Sequence, residues 1–171
     1  MKKEKVISLL IGKDKSTGVP GKNYREIVGR PMCEYGFIAS KAIEVNKLFV
    51  STDSKIIKEI GKKYNAEIID RPKSLALPES LTEDVLTHAA NYIKEKLGYE
   101  PEIVCLLFAN NPAIDINLLK KGISELKNDI TLDSAFSVCR YDMFSPARAR
   151  QINQEGIIEP SVPLEIFGDN I

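Results

Sequence analysis

The stretch Gly-Lys-Asp-Lys-Ser-Thr-Gly-Val-Pro-Gly-Lys-Asn at 12–23 holds the clearest chemistry in the chain. Its glycines let the backbone turn N–H groups toward an anion, and Lys13, Lys15 and Lys22 add mobile positive charge. That combination suits the phosphates of a nucleotide triphosphate. The spacing is neither that of a Walker A loop, G-x-x-x-x-G-K-[ST], nor that of the dinucleotide fingerprint G-x-G-x-x-G. By composition alone the run reads equally well as a solvated, lysine-rich loop. Its place directly behind an apolar strand favours phosphate binding.

Other chemistry-bearing residues lie further along. Asp53, in a Thr-Asp-Ser turn behind the second strand, has the type of a ligand or metal contact, but capping the next helix is the commoner role of such a turn. Arg71 precedes Pro72, which holds it extended. His88, the only histidine, falls inside a helical pattern and reads as a packed helix residue rather than a base. Arg140, Arg148 and Arg150 flank residues 141–146; a solvated arginine face is the simpler reading beside bidentate pairing with a substrate carboxylate. Cys33, Cys105 and Cys139 are odd in number and belong to no C-x-x-C pair, so buried free thiols are expected rather than disulfides or zinc.

The elements that must position these residues alternate. Val6–Ile11 is apolar but for Ser8 and reads as a strand buried on both faces; residues 31–45 carry apolar positions at three- and four-residue steps and read as a helix. Strands follow at 47–51, 66–70, 103–108 and 134–138. Helices are expected at 54–64, capped by Ser54, at 82–97, and at 115–126, capped by Asp115. The apolar stripe of the 82–97 helix reads as a sheet cover rather than a dimer surface. Strands alternating with helices of this length build parallel crossovers, so the expected fold is α/β, a three-layer α/β/α arrangement around a mainly parallel sheet. In such sheets ligands sit outside the carboxyl ends of the strands, where strand order reverses. The informative loops are therefore those after residues 11, 50, 70 and 108. Prolines 146, 160 and 163 interrupt the last thirty residues, where only 151–158 suggests a short hairpin.

Composition sets the bounds. The chain has 171 residues, 43% hydrophobic and 28% charged, with 24 Lys+Arg against 24 Asp+Glu. One soluble domain spanning 1–171 is expected. A formal net charge of zero supplies no overall field for a polyanion, which argues against nucleic acid as a partner. The opening apolar run is too short for a signal peptide, and no stretch approaches the roughly 20 apolar residues of a membrane span, so cytoplasmic residence with no membrane partner is expected.

Several segments together resemble one family. Gly-Val-Pro-Gly-Lys-Asn at 18–23 followed by Gly-Arg-Pro-Met at 29–32, Phe-Val-Ser-Thr-Asp-Ser at 49–54, Tyr-Asn-Ala-Glu-Ile-Ile-Asp-Arg-Pro at 64–72 with Ser-Leu-Ala at 74–76, Thr-Glu-Asp-Val-Leu-Thr-His at 82–88 and Asp-Ser-Ala-Phe-Ser-Val at 133–138 are similar, in order, to motifs of the cytidylyltransferases that activate acidic sugars, the CMP-sialic acid synthetases and their CMP-KDO synthetase relatives. The resemblance implies a Rossmann-like nucleotidyltransferase fold. It implies CTP and a sialic-acid-like 2-keto sugar acid as substrates, Mg²⁺ as the metal, CMP-sugar and pyrophosphate as products, and a role in surface polysaccharide biosynthesis. Lys22 matches the family's phosphate-contacting lysine, and with Lys13 it is the expected charge-neutralising pair in catalysis. Asn23 and Arg71 match nucleotide contacts, Ser80 and Thr82 lie where a loop closes on the base, and Gly12, Gly21 and Asn110 complete the expected nucleotide-binding set.

The chain also departs from the family. Lys13 stands where the family has arginine, Thr17 where it has lysine, Phe108 where it has glutamine, Asn110 where it has threonine or a metal-binding aspartate, and Ile114 where it has arginine. A neutral Asn110 is a poor ligand for a hard dication. Family members run on past residue 171, where further metal-binding aspartates and a dimerisation arm are expected, so a homodimer is among the implied partners. These departures support a second expectation, a catalytically weakened nucleotide-binding paralogue acting as a partner or regulatory protein.

Overall fold

A computed structural model describes residues 6–16, 18–138 and 149–163. The expectations on Thr17, Cys139, Arg140, Arg148, Pro146 and the final residues lie outside these. The chain divides into two compact units, one ending at Ala135 and one beginning at Phe136.

In the first unit, β1 (Val6–Ile11) is buried along its whole length, as a sequence apolar but for Ser8 leads one to expect. The short strands β2 (Glu26–Ile27) and β3 (Arg30–Pro31) form a separate ribbon, joined by Val28 and Gly29, both at positive φ, as a two-residue hairpin turn demands. Helix α1 (Glu34–Ala42), β4 (Lys47–Thr52), α2 (Lys55–Lys63), β5 (Glu67–Asp70), α3 (Thr82–Leu97), β6 (Ile103–Phe108) and α4 (Ile116–Asn128) follow. The main sheet runs β5-β4-β1-β6 with every pairing parallel. Strand order reverses between β1 and β6, so the crevice outside their carboxyl ends is where a ligand belongs.

Two apolar layers hold the sheet. On one face Leu10, Val50 and Leu107 pack with Phe37 of α1 and Ile57 and Ile60 of α2, while Leu119 of α4 joins their margin. On the other, Ile7, Leu9, Ile11, Phe49 and Ile69 pack with Val85, Ala89 and Ile93 of α3. Each fully buried side chain of this kind contributes roughly 1.5–3 kcal/mol relative to exposure. The expected three layers are therefore present. Cys33 and Cys105 are free and buried, and burial pushes the Cys33 thiol up to about 12, which makes it an inert packing residue. No described helix is long and apolar enough to cross a membrane.

Several elements differ from expectation. The helix expected over 31–45 begins only at Glu34, because Met32 N and Cys33 N donate instead to Arg25 O (2.8 Å) and Asn23 O (2.7 Å). Ser54 occupies the N-cap position of α2, but its hydroxyl makes no capping bond. Asp115 does cap α4, accepting from Asn117 N at 2.8 Å and Leu118 N at 3.3 Å. The strand expected over 134–138 does not form: Phe136 and Val138 are 84% and 89% exposed, without the ladder partner and the double burial that sustain a parallel strand.

The second unit contains one antiparallel hairpin, β7 (Arg150–Ile152) and β8 (Ile158–Pro160), close to the span its sequence suggested. Asn153 Oδ1 accepts from the amides of Glu155 and Ile157 and holds its turn.

Candidate functional site

Beyond the strands the β1 ladder continues for one more step on each side: Ala109 N donates to Ile11 O at 2.9 Å and Gly12 N to Ser51 O at 3.2 Å. This brings the loops after β1 and β6 so close that a Cβ on Gly12 would lie 2.5 Å from Ala109 Cβ. Only glycine fits there. The loop from Gly12 to Asn23 is then pinned at three places. Asp14 N donates to Asp53 Oδ1 (2.9 Å), Asn23 Nδ2 donates to Lys13 O (2.7 Å), and Lys13 Nζ reaches Leu77 O (3.3 Å). Gly21, at φ 66°, turns the chain into a 3-10 turn, Lys22–Tyr24, which presents Lys22.

A cavity of about 230 Å³ opens over the carboxyl ends of β1 and β6. Gly12, Lys13, Lys22, Asn23, Arg71, Ser80, Thr82 and Asn110, eight of the nine residues expected from sequence, lie on its wall. The ninth, Gly21, is not on the wall and acts by shaping the turn before Lys22. Sequence reasoning missed the apolar part of the wall, formed by Ile11, Leu75, Leu77 and Val85 beside Phe108. The only signal for it was the Leu-Ala-Leu spacing at 75–77, which composition alone assigns to a loop. An apolar shelf beside convergent polar groups is the usual make-up of a small-molecule pocket.

The wall is positively charged. Among the described residues it carries Lys13, Lys22 and Arg71 and no carboxylate. Arg71 is only 9% exposed; its Nη2 donates to Ser51 O at 2.7 Å and its Nε to Ser51 Oγ at 3.4 Å. Burial holds its guanidinium below the usual arginine range, partly offset by the nearby Asp53 charge. Asn23 is 4% exposed, with its Oδ1 unpartnered.

Other expected roles change with the geometry. Asp53 does not cap α2; it anchors the loop through Asp14 N, because the turn places its carboxylate beside that loop. The Ser80 hydroxyl donates to Ser74 O at 2.8 Å and so shapes its own loop. Thr82 is exposed in the first turn of α3. His88 sits half-buried on α3, away from the wall, as a packed helix residue was expected to. Ile114 packs against the core beneath α1 and α2, so it is not a wall residue. Arg150 lies in the second unit, where its Nη1 donates to Ala149 O at 3.0 Å.

The donor set does not suit a protein-held Mg²⁺. That ion prefers anionic oxygen in octahedral geometry, whereas this wall offers the Asn110 amide and hydroxyls beside three cations. Among the described residues no three or more His, Cys, Asp or Glu side chains cluster as a metal site.

The sequence profile of the Cytidylyltransferase family matches residues 14–150. An N-acylneuraminate cytidylyltransferase of Oncorhynchus mykiss is 25% identical over 145 residues, covering 83% of this chain and 32% of the relative. A 3-deoxy-manno-octulosonate cytidylyltransferase of Francisella philomiragia is 28% identical over 112 residues, covering 63% of this chain and 40% of the relative. Among solved structures, a CMP:2-keto-3-deoxy-manno-octonic acid synthetase complexed with CTP superposes with a TM-score of 0.58 at 22% identity, covering 75% of this chain and 50% of the other. The chain thus spans about a third of the length of the first of these relatives and half of that solved chain.

Proposed function

Because the chain belongs to the cytidylyltransferase family, we propose that its cavity binds CTP and that the protein transfers the cytidylyl group to a 2-keto sugar acid, releasing pyrophosphate and supplying a CMP-sugar for surface polysaccharide assembly. The observation that carries this reading is the convergence of Lys13, Lys22 and Arg71 beside an apolar shelf at the point where strand order reverses. In the reaction the sugar's anomeric hydroxyl attacks the α-phosphorus in line. A new O–P bond forms, the bond to the β-phosphate oxygen breaks, and the hydroxyl proton passes to solvent. Positioning and neutralisation of the leaving pyrophosphate supply most of such a rate enhancement. Lys13 and Lys22 are suited to that neutralisation, Arg71 to a buried anionic oxygen, and Leu75, Leu77 and Phe108 to the face of the base. The Mg²⁺ implied by the resemblance finds no carboxylate ligands among the described residues of this wall, so these steps rest on the chain's own cations.

Incubation with CTP, Mg²⁺ and a panel of 2-keto sugar acids, followed by pyrophosphate release, is the direct test. No release with any acid rejects the transfer reaction. A second reading, a nucleotide-binding paralogue acting as a partner protein, is favoured by Phe108 and Asn110, which put an apolar and a neutral side chain on the wall. It predicts calorimetric binding of CTP or CMP without turnover.

A further inference from the structure

On the reading that the cavity takes a cytidine nucleotide, we propose that it holds the phosphates through its own three cations and binds the nucleotide without a divalent metal.

The charge arrangement carries the proposal. Among the described residues five lysines elsewhere find carboxylates: Lys47 and Lys96 pair with Glu67, Lys58 with Asp70, Lys62 with Glu59 and Lys94 with Glu100. The wall cations do not. The Lys22 ammonium makes no hydrogen bond or ion pair with any described residue, and among them the Lys13 ammonium meets only the Leu77 carbonyl. Arg71 is nine-tenths buried with two donors on Ser51 and no carboxylate in contact. A buried guanidinium left without a counter-ion is costly, which is why such groups are normally paired. At Arg71 the missing counter-ion is the ligand, and the planar fork suits a phosphate's oxygens. Asp53, the carboxylate whose charge acts on Arg71, is off the wall and accepts from Asp14 N. A Mg²⁺ on nucleotide phosphates is usually shared with one or two protein carboxylates; among its described residues this wall instead supplies positive charge directly.

Titration calorimetry of the intact chain with CTP, once in EDTA and once in Mg²⁺, tests this. The expected result is binding in both, with the EDTA affinity within about threefold of the Mg²⁺ value, and cytidine at least about thirtyfold weaker because it lacks the charge-assisted bonds. Affinity that falls tenfold or more in EDTA overturns the metal-free site while leaving the nucleotide reading intact. Cytidine binding as tightly as CTP overturns the phosphate role of the three cations. Absence of CTP binding in both buffers overturns the nucleotide reading itself and this inference with it.

Discussion

The amide of Asp14 donates to Asp53 Oδ1 at 2.9 Å, tying the loop behind β1 to the turn behind β4. Two neighbouring strands thus share one anchor at their carboxyl ends, and the lysines of that loop inherit its position.

Removing the acceptor should loosen the loop more than the fold. Asp53→Ala is expected to cost about 1 kcal/mol of stability, the net value of such a bond, and to weaken CTP binding about three- to tenfold. Asp53→Asn keeps a carbonyl oxygen for Asp14 N and should restore most of both. An Asn variant as impaired as the Ala variant would show that the charge, not the anchor, matters.

Gly12→Ala places a Cβ 2.5 Å from Ala109 Cβ. Overpacking of this kind costs about 1–3 kcal/mol. The clash is pairwise, so adding Ala109→Gly should make the double variant less destabilised than the two single effects summed. Denaturant melts of the four proteins check this, and strict additivity would reject the close-approach account.

Lys22→Ala is expected to weaken CTP binding by about 1.5–3 kcal/mol, the scale of a lost charge-assisted hydrogen bond. Because Lys22 contacts none of the described residues through its ammonium, the melting temperature should stay put. Unchanged CTP affinity would mean that the loop is only a solvated surface.

Arg71→Met separates binding from stability. Ser51 O keeps the Gly12 amide at 3.2 Å, so deleting the guanidinium leaves that carbonyl satisfied. Replacing a desolvated, unpaired cation by an apolar chain of similar length should leave stability level or raise it, while CTP affinity drops by tenfold or more. A large loss of stability would mark Arg71 as a structural clamp.

Glu67 gives the fold an acid-dependent component. Hydrogen bonding to Lys96, together with Lys47, holds its carboxyl below the ordinary 4.5, and Tyr92 Oη adds a bond at 3.2 Å. The stabilisation is present above the unfolded value and is lost as pH falls through the lower folded one. Glu67→Gln should therefore lose less stability than the parent between pH 7 and pH 3. Parallel losses would assign the acid sensitivity to other carboxylates.

Sequence alone was enough for much of what depends on near neighbours, though not for the Ser54 cap. The apolar run of β1, the stripe of α3 from Thr82 to Leu97, the Asp115 cap and the glycine- and lysine-rich loop all rest on periodicity or on side-chain chemistry within a few positions. The family resemblance extended this to eight wall residues, because motifs order positions even where no local force places them. Only the tertiary structure decided what those residues touch. Asp14 and Asp53 are 39 positions apart and meet because β1 and β4 pair in parallel; Ser51 serves Arg71 because β5 lies beside β4. The same long-range packing moved the start of α1 to Glu34, laid half-buried Ile114 against the core, built the apolar shelf from a leucine-spaced loop, and withheld strand structure from 134–138, since a strand exists through its partner rather than through its own sequence.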